Sequence, residues 1–226
     1  DLNCDMGEGF GVWEMGDDYS LLKYIDSTNI ACGWHAGDPA RMKNLVAAAM
    51  NKNVFIGSHP SFPDLLGFGR REMAVSPQDA YNYVLYQTGA LKAFIEAQGG
   101  KLHHVKPHGA FYNQASKDIQ LARAIAQAVK DLGEGVILYG LASSCFVQAC
   151  TEMNVPLWQE VFADRRYTPE GYLAPRGQAN AMIEDEAEAV DQALLMANEG
   201  KVIALDGSVI KVQADTLCIH GDGPSA

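Results

Sequence analysis

The feature that most constrains this chain is an alternation repeated along its whole length. Short apolar runs each end in a loop carrying glycine, proline or histidine, and most loops lead into a stretch with helical spacing of apolar residues. The pattern predicts strands at Asp1–Cys4, Thr28–Cys32, Val54–Gly57, Leu102–Lys106, Val136–Tyr139, Pro156–Val161 and Val202–Leu205, with Thr216–His220 as an eighth. Between them it predicts helices over Asp17–Ile25, Asp38–Asn51, Ser143–Met153 and Asp185–Asn198. Two more begin at Ser76–Pro77 and at Asp118 and stop at Gly99 and Gly133. Strands separated by helices form parallel βαβ units. Seven or eight such units favour a closed or nearly closed (β/α) barrel over an open doubly wound sheet. With 226 residues and no linker or low-complexity tract, the expectation is a single domain spanning 1–226.

A barrel of this kind keeps its chemistry in the loops after its strands, and the unusual residues of this chain lie there. In NIACGWHAGDP, His35 sits between glycines, and Asp38 and Pro39 open a helix whose N-terminus favours an anion. Asp5 and Glu8 follow the first strand and His59 the third, so Asp5, His35 and His59 can converge as a divalent metal site. GFGRR supplies Arg70 and Arg71 as anion-binding candidates. VKPHG supplies Lys106 and His108, and strand alternation sets His104 on the side of Lys106 with His103 opposite. Glu160, Asp164, Arg165 and Arg166 cluster after the sixth strand, Arg176 follows in LAPRG, and His220 and Asp222 close the series.

Other classes are disfavoured. A net charge of −11 argues against a nucleic-acid partner. No apolar run reaches membrane-spanning length. There is no GxxxxGK[ST], GxGxxG, GxSxG or HExxH motif. Five cysteines without a CxxC read as buried thiols in a reducing compartment, so the cytoplasm is expected. The start at Asp1 without methionine is compatible with a trimmed N-terminus.

Taken together, DLNCDMGE, NIACGWHAGDP, GSHPSFPD, GFGRR, VKPHGAFYN, EVFADRRY with PRGQ, and CIHGDG resemble the LamB/YcsF family, in its order and from Asp1 to about Gly223. Trp34 stands where that family usually has Phe, and the chain stops where the family continues into a last helix, which suggests a missing C-terminal segment. The resemblance implies an irregular (β/α) barrel with about seven parallel strands, like the glycoside hydrolase/deacetylase group. It implies the A subunit of the ATP-dependent 5-oxoprolinase, converting 5-oxo-L-proline, ATP and two waters to L-glutamate, ADP and phosphate, with subunits B and C as partners. Self-association into a homo-oligomer is left open.

That chemistry suggests roles. Phosphorylating the resonance-stabilised lactam oxygen creates an electrophile that water can attack. Lys106 with Arg70, Arg165 or Arg176 would bind phosphate or the substrate carboxylate, with Asp164, His220 and Asp222 beside them. Asp5, Glu8 or Glu160 would hold Mg²⁺ or another divalent ion, or activate water. His35, His59 and His108 would move protons or polarise the lactam. Two other readings stay open: a metal-dependent deacetylase or amidohydrolase built on Asp5, His35 and His59, and a non-catalytic member of the same complex.

Overall fold

The structure, a computed structural model, describes residues 1–220. Its strands are β1 (Leu2–Met6), β2 (Ser27–Ala31), β3 (Phe55–His59), β4 (His104–Val105), β5 (Ile137–Leu141), β6 (Leu157–Phe162), β7 (Lys201–Ile203), β8 (Val209–Lys211) and β9 (Thr216–His220). Seven of them, β1 to β6 and β9, close an all-parallel barrel in that order. Closure comes from β9, which pairs with β6 through Glu160↔Thr216 and with β1 through Asp5↔His220. The expected irregular (β/α) barrel is the fold found.

The predicted seventh strand over Val202–Leu205 is a correction. That segment is β7, which leaves the barrel and pairs antiparallel with β8. Its cause is local: Asp206–Gly207 forms the turn, with Gly207 at φ 84° and the Asp206 carboxylate accepting from Ser208 N at 2.9 Å. An Asp-Gly pair between apolar runs favours a hairpin, and a hairpin returns the chain antiparallel. The predicted eighth strand therefore fills the seventh barrel position.

Helices α1 (Asp18–Leu21), α2 (Pro39–Asn51), α3 (Pro77–Ala97), α4 (Gly109–Ala115), α5 (Ile119–Asp131), α6 (Cys145–Met153) and α7 (Glu186–Glu199) connect the strands. The predicted caps form: Asp38, Ser76 and Asp118 accept backbone N–H bonds at the start of α2, α3 and α5, and Asp185, the expected start of the next helix, does the same for α7. The helices bury their apolar stripes against the strands, as with Leu121, Ile125 and Val129 of α5. Two differences stand out. The helix expected over Asp17–Ile25 shrinks to one turn, and α4 has no counterpart in the sequence pattern. No helix among the described residues is long and apolar enough to cross a membrane.

Inside the barrel the residues are polar. Asn3, Asp5, Asn29, His104, Lys106 and Glu160 are all buried and bonded to one another across the strands. Groups buried this deeply depend on their neighbours for hydrogen bonds. Each unmet bond is costly, so the set holds only if it is nearly complete. One glycine makes room for it. A Cβ at Gly57 would overlap the imidazole of His104, its register neighbour on β4.

Candidate active site

At the C-terminal mouth of the barrel lies a cavity of about 420 Å³. Asp5, Glu8, His59, Lys106, His108 and His220 line it from the strand ends, and Arg70, Arg165 and Arg176 from the longer loops. Nine sequence-selected residues thus meet in one place. His35, Glu160 and Asp164 do not line the cavity; they support residues that do. Asp222 lies outside the described residues.

Beneath the cavity, Lys106 Nζ lies 2.8 Å from Asp5 Oδ1 and 2.9 Å from Glu160 Oε1. It also approaches Cys218 Sγ at 3.0 Å. Burial alone would discharge the ammonium, but Asp5, Cys218 and Glu160 outweigh it and hold the Lys106 pKa well above its ordinary value. Burial likewise opposes the charge on Asp5, and His59 and Lys106 overcome it, keeping that carboxyl well below the usual range. The charge of Lys106, expected from the sequence to meet a phosphate or carboxylate, already faces two carboxylates of its own chain. Glu160 is held further by Asn3 Nδ2 at 3.0 Å and by Tyr112 OH at 2.8 Å.

On one wall, Glu8 Oε1 lies 3.0 Å from His35 Nε2, 3.3 Å from His108 Nδ1 and 4.0 Å from His59 Nε2. His35 stacks on His108 with ring centroids 3.8 Å apart. The metal set expected from the sequence is Asp5, His35 and His59. The structure instead groups Glu8 and His108 with His35 and His59, and groups Asp5 with Cys218 and His220. The reason is strand register: Asp5 pairs with His220 at the β1–β9 seam, whereas Glu8 lies three residues further along, beyond the end of β1.

The other wall is cationic. Burial and the neighbouring Arg176 push Arg165 down to about 10, so these guanidiniums sit close together. Arg165 Nη2 bonds the Ala174 carbonyl at 2.5 Å, which fixes its fork. Arg70 lies over the Phe68 ring at 4.8 Å. Arg71, its neighbour, is bound to the Asp64 carboxylate and takes no part. His220 is oriented by Asp164, 2.7 Å from its Nδ1. The α2 N-terminus is not open to an anion. Asp38 Oδ1 already accepts from Ala40 N at 2.9 Å and Arg41 N at 3.0 Å, and Oδ2 from Gly11 N at 3.1 Å.

The family profile of LamB/YcsF matches residues 1–226, the whole chain. The chain belongs to the LamB/YcsF family. Over 226 residues it is 52% identical to the 5-oxoprolinase A subunit of Bacillus cytotoxicus and 54% identical to that of Bordetella pertussis. In both cases the match covers 100% of this chain and 90% of the relative. The crystal structure of a lactam utilization protein from Thermus thermophilus superposes with a TM-score of 0.91 at 48% identity, covering 97% of this chain and 89% of that one.

Four further residues of this LamB/YcsF site escape a reading of the sequence. Asn3, Asn29, Tyr112 and Cys218 hold the charged groups in place, together with His104, which strand alternation sets on the side of Lys106. Asn3 and Asn29 leave a trace, being polar residues inside apolar strands. Tyr112 leaves none, because it sits on α4, the helix that the pattern does not announce.

Buried histidines set the acid sensitivity of the fold. Burial, with His103 and Lys106 nearby, lowers His104 well below its ordinary value, and burial pushes His35 down to about 3. Both stay neutral when folded, whereas the unfolded chain protonates them below about pH 6.5. Their stabilisation is complete above that pH and falls by about 1.4 kcal/mol per pH unit for each residue as the pH drops toward the folded value. The urea midpoint should therefore decline steadily from about pH 6.5 to about pH 4.5, and less steeply in His104→Gln. A midpoint flat over that range would contradict this reading of the buried rings.

Proposed function

We propose that this chain is the A subunit of an ATP-driven 5-oxoprolinase, opening the lactam of 5-oxo-L-proline to L-glutamate in a cytoplasmic complex with subunits B and C. The observation that carries it is the cavity, which joins a carboxylate–imidazole wall to three guanidiniums. A cyclic amide bearing a carboxylate needs those two things: an anion anchor and groups that polarise a carbonyl and move protons. The relatives that carry the 5-oxoprolinase name support the same reading.

The parts divide as follows. Arg70, Arg165 and Arg176 bind the substrate carboxylate or a phosphoryl group, because planar guanidinium forks match both. Glu8, His59 and His108 face the reacting amide, and His35 steadies Glu8 and His108 from behind. Lys106, with Asp5 and Glu160, forms the rigid floor. His220, set by Asp164, is assigned the proton delivered to the opening ring nitrogen. A divalent ion, Mg²⁺ or another, belongs to this reading.

ATP is assigned to the assembled enzyme. The N-termini of α2, α3, α5 and α7 carry this chain's own capping side chains, so they do not fit a nucleotide's phosphates.

The test is 5-oxoproline-dependent ADP release, measured for this chain with and without subunits B and C. Turnover is expected only in the full mixture. In that mixture Arg176→Ala should raise KM for 5-oxoproline about tenfold to a hundredfold, the worth of one charge-assisted hydrogen-bonding group. An unchanged KM would remove Arg176 from the anion anchor. Lactam opening by the isolated chain without ATP would favour the metal-dependent amidohydrolase reading instead.

A further inference from the structure

The hydrogen-bond partners of two histidines turn their other ring nitrogens toward each other and toward a pair of carboxylates, an arrangement that a bound cation satisfies. His59 Nδ1 lies 2.7 Å from the Lys106 carbonyl, and His108 Nε2 lies 2.8 Å from the Phe68 carbonyl. A carbonyl oxygen only accepts, so each of those nitrogens carries the ring's hydrogen. The opposite nitrogens, His59 Nε2 and His108 Nδ1, then present bare lone pairs, and they face each other at 2.9 Å. Glu8 Oε1 adds a third donor, 3.3 Å from His108 Nδ1 and 4.0 Å from His59 Nε2. Asp5 Oδ2 also lies 3.3 Å from His59 Nε2, so bare nitrogens and carboxylate oxygens crowd a buried site and repel one another unless a positive charge, a proton or a metal ion, sits between them.

We propose that Glu8, His59 and His108 form an open divalent-metal site of the two-histidine, one-carboxylate type, suited to a borderline ion such as Zn²⁺. Metal-to-ligand bonds of about 2.0–2.2 Å in tetrahedral geometry set donors about 3.3–3.6 Å apart, and the spacings here straddle that value. The groups behind the ligands also have the form such sites take. Each ligand histidine gives its other N–H to a backbone carbonyl, and His35 Nε2 bonds the ligand oxygen of Glu8 at 3.0 Å. His35 itself is not a ligand in this scheme: its ring lies stacked and nearly parallel on His108, at 8°, so the two cannot both aim in-plane lone pairs at one ion. All three proposed ligands line the cavity, which leaves the remaining coordination positions open to it. A cation there polarises a carbonyl oxygen entering the cavity.

The inference deepens the lactam-hydrolysis reading but is measured without lactam or nucleotide. Metal-stripped full-length chain is titrated with Zn²⁺ by calorimetry, and separately with Co²⁺ while its visible absorption is followed. One equivalent of Zn²⁺ per chain is expected, with Co²⁺ bands lacking thiolate charge transfer. His108→Ala and Glu8→Gln should weaken Zn²⁺ binding at least about a hundredfold, and His35→Gln about tenfold, as loss of an outer partner does. Cys218→Ser should leave it unchanged, since that thiol belongs to the neighbouring group of Asp5 and His220. Circular dichroism melts confirm that each variant is folded, and Glu8→Gln keeps the side-chain volume should His108→Ala fail to fold. The proposal is overturned if folded wild-type chain binds no stoichiometric Zn²⁺, if binding survives His108→Ala, or if Co²⁺ shows a thiolate band that Cys218→Ser removes. Failure here would leave 5-oxoproline-dependent ADP release to stand or fall in its own assay.

Discussion

Lys106→Met is expected to be the most damaging single substitution in this chain. The methionine nearly matches the lysine stem in volume, so packing is kept while the charge is lost. Asp5 and Glu160 would then share a buried barrel interior with no cation between them, where Lys106 now lies within 2.9 Å of both. Removing one partner of a buried charge cluster costs about 3–5 kcal/mol. For a domain of this size that lowers the thermal midpoint by on the order of 10 °C. Activity of the reconstituted complex should fall to background, because Asp5 also faces His59, with Oδ2 3.3 Å from its Nε2. Adding Glu160→Gln to Lys106→Met should recover part of the stability and none of the activity. Calorimetric melts of the two variants decide the matter. If the single variant melts within about 2 °C of wild type, the buried cluster is not the strut described above.

The second large effect is expected at a residue with no side chain. Gly57→Ala places a methyl group into the ring of His104. That ring has little freedom, since its Nε2 lies 2.6 Å from Asn29 Oδ1 and its face stacks on Tyr139 at 3.9 Å. Asn29 in turn bonds Asp5 Oδ1 at 2.8 Å, so a displaced imidazole disturbs the floor of the site. Overpacking a core costs about 1–3 kcal/mol, and a ring locked on two sides puts this case at the upper end. Loss of activity should exceed what the fall in stability explains. The double variant Gly57→Ala/His104→Ala should regain stability relative to Gly57→Ala alone, as a cavity replaces the clash. If Gly57→Ala matches wild type in both melting and turnover, the ring is free to move and the interior is less tightly specified than it looks.

Much of this architecture is legible in the chain. Period-two apolar runs alternating with capped helical stretches dictate parallel βαβ units, because both patterns are local consequences of backbone geometry. Asp38, Ser76, Asp118 and Asp185 cap where the sequence places them, since a cap depends only on its own turn. The loop after each strand is marked out as the place for chemistry, and nine of the residues found there line one cavity. Local pattern misleads over Val202–Leu205. Its Asp-Gly turn is itself visible, but the preceding alternation suggests another parallel crossover.

The pairing of the functional groups is not legible. Lys106 looks like an anion binder because a lysine after a strand ordinarily reaches ligand or solvent. Only the closed ring shows it pinned between β1 and β6. Asp5 and Glu8 are three residues apart, yet register sends the first toward Lys106 and His220 and the second toward His35 and His108, with His59 between the two carboxylates. The sequence by itself determined the fold class, the family and the set of residues at the barrel mouth, because those follow from periodicity and from ordered motifs along the chain. The tertiary structure decided which charges neutralise one another, which histidine nitrogens are bare and which glycine is indispensable. Those depend on distances between strands far apart in sequence, and barrel closure alone fixes them.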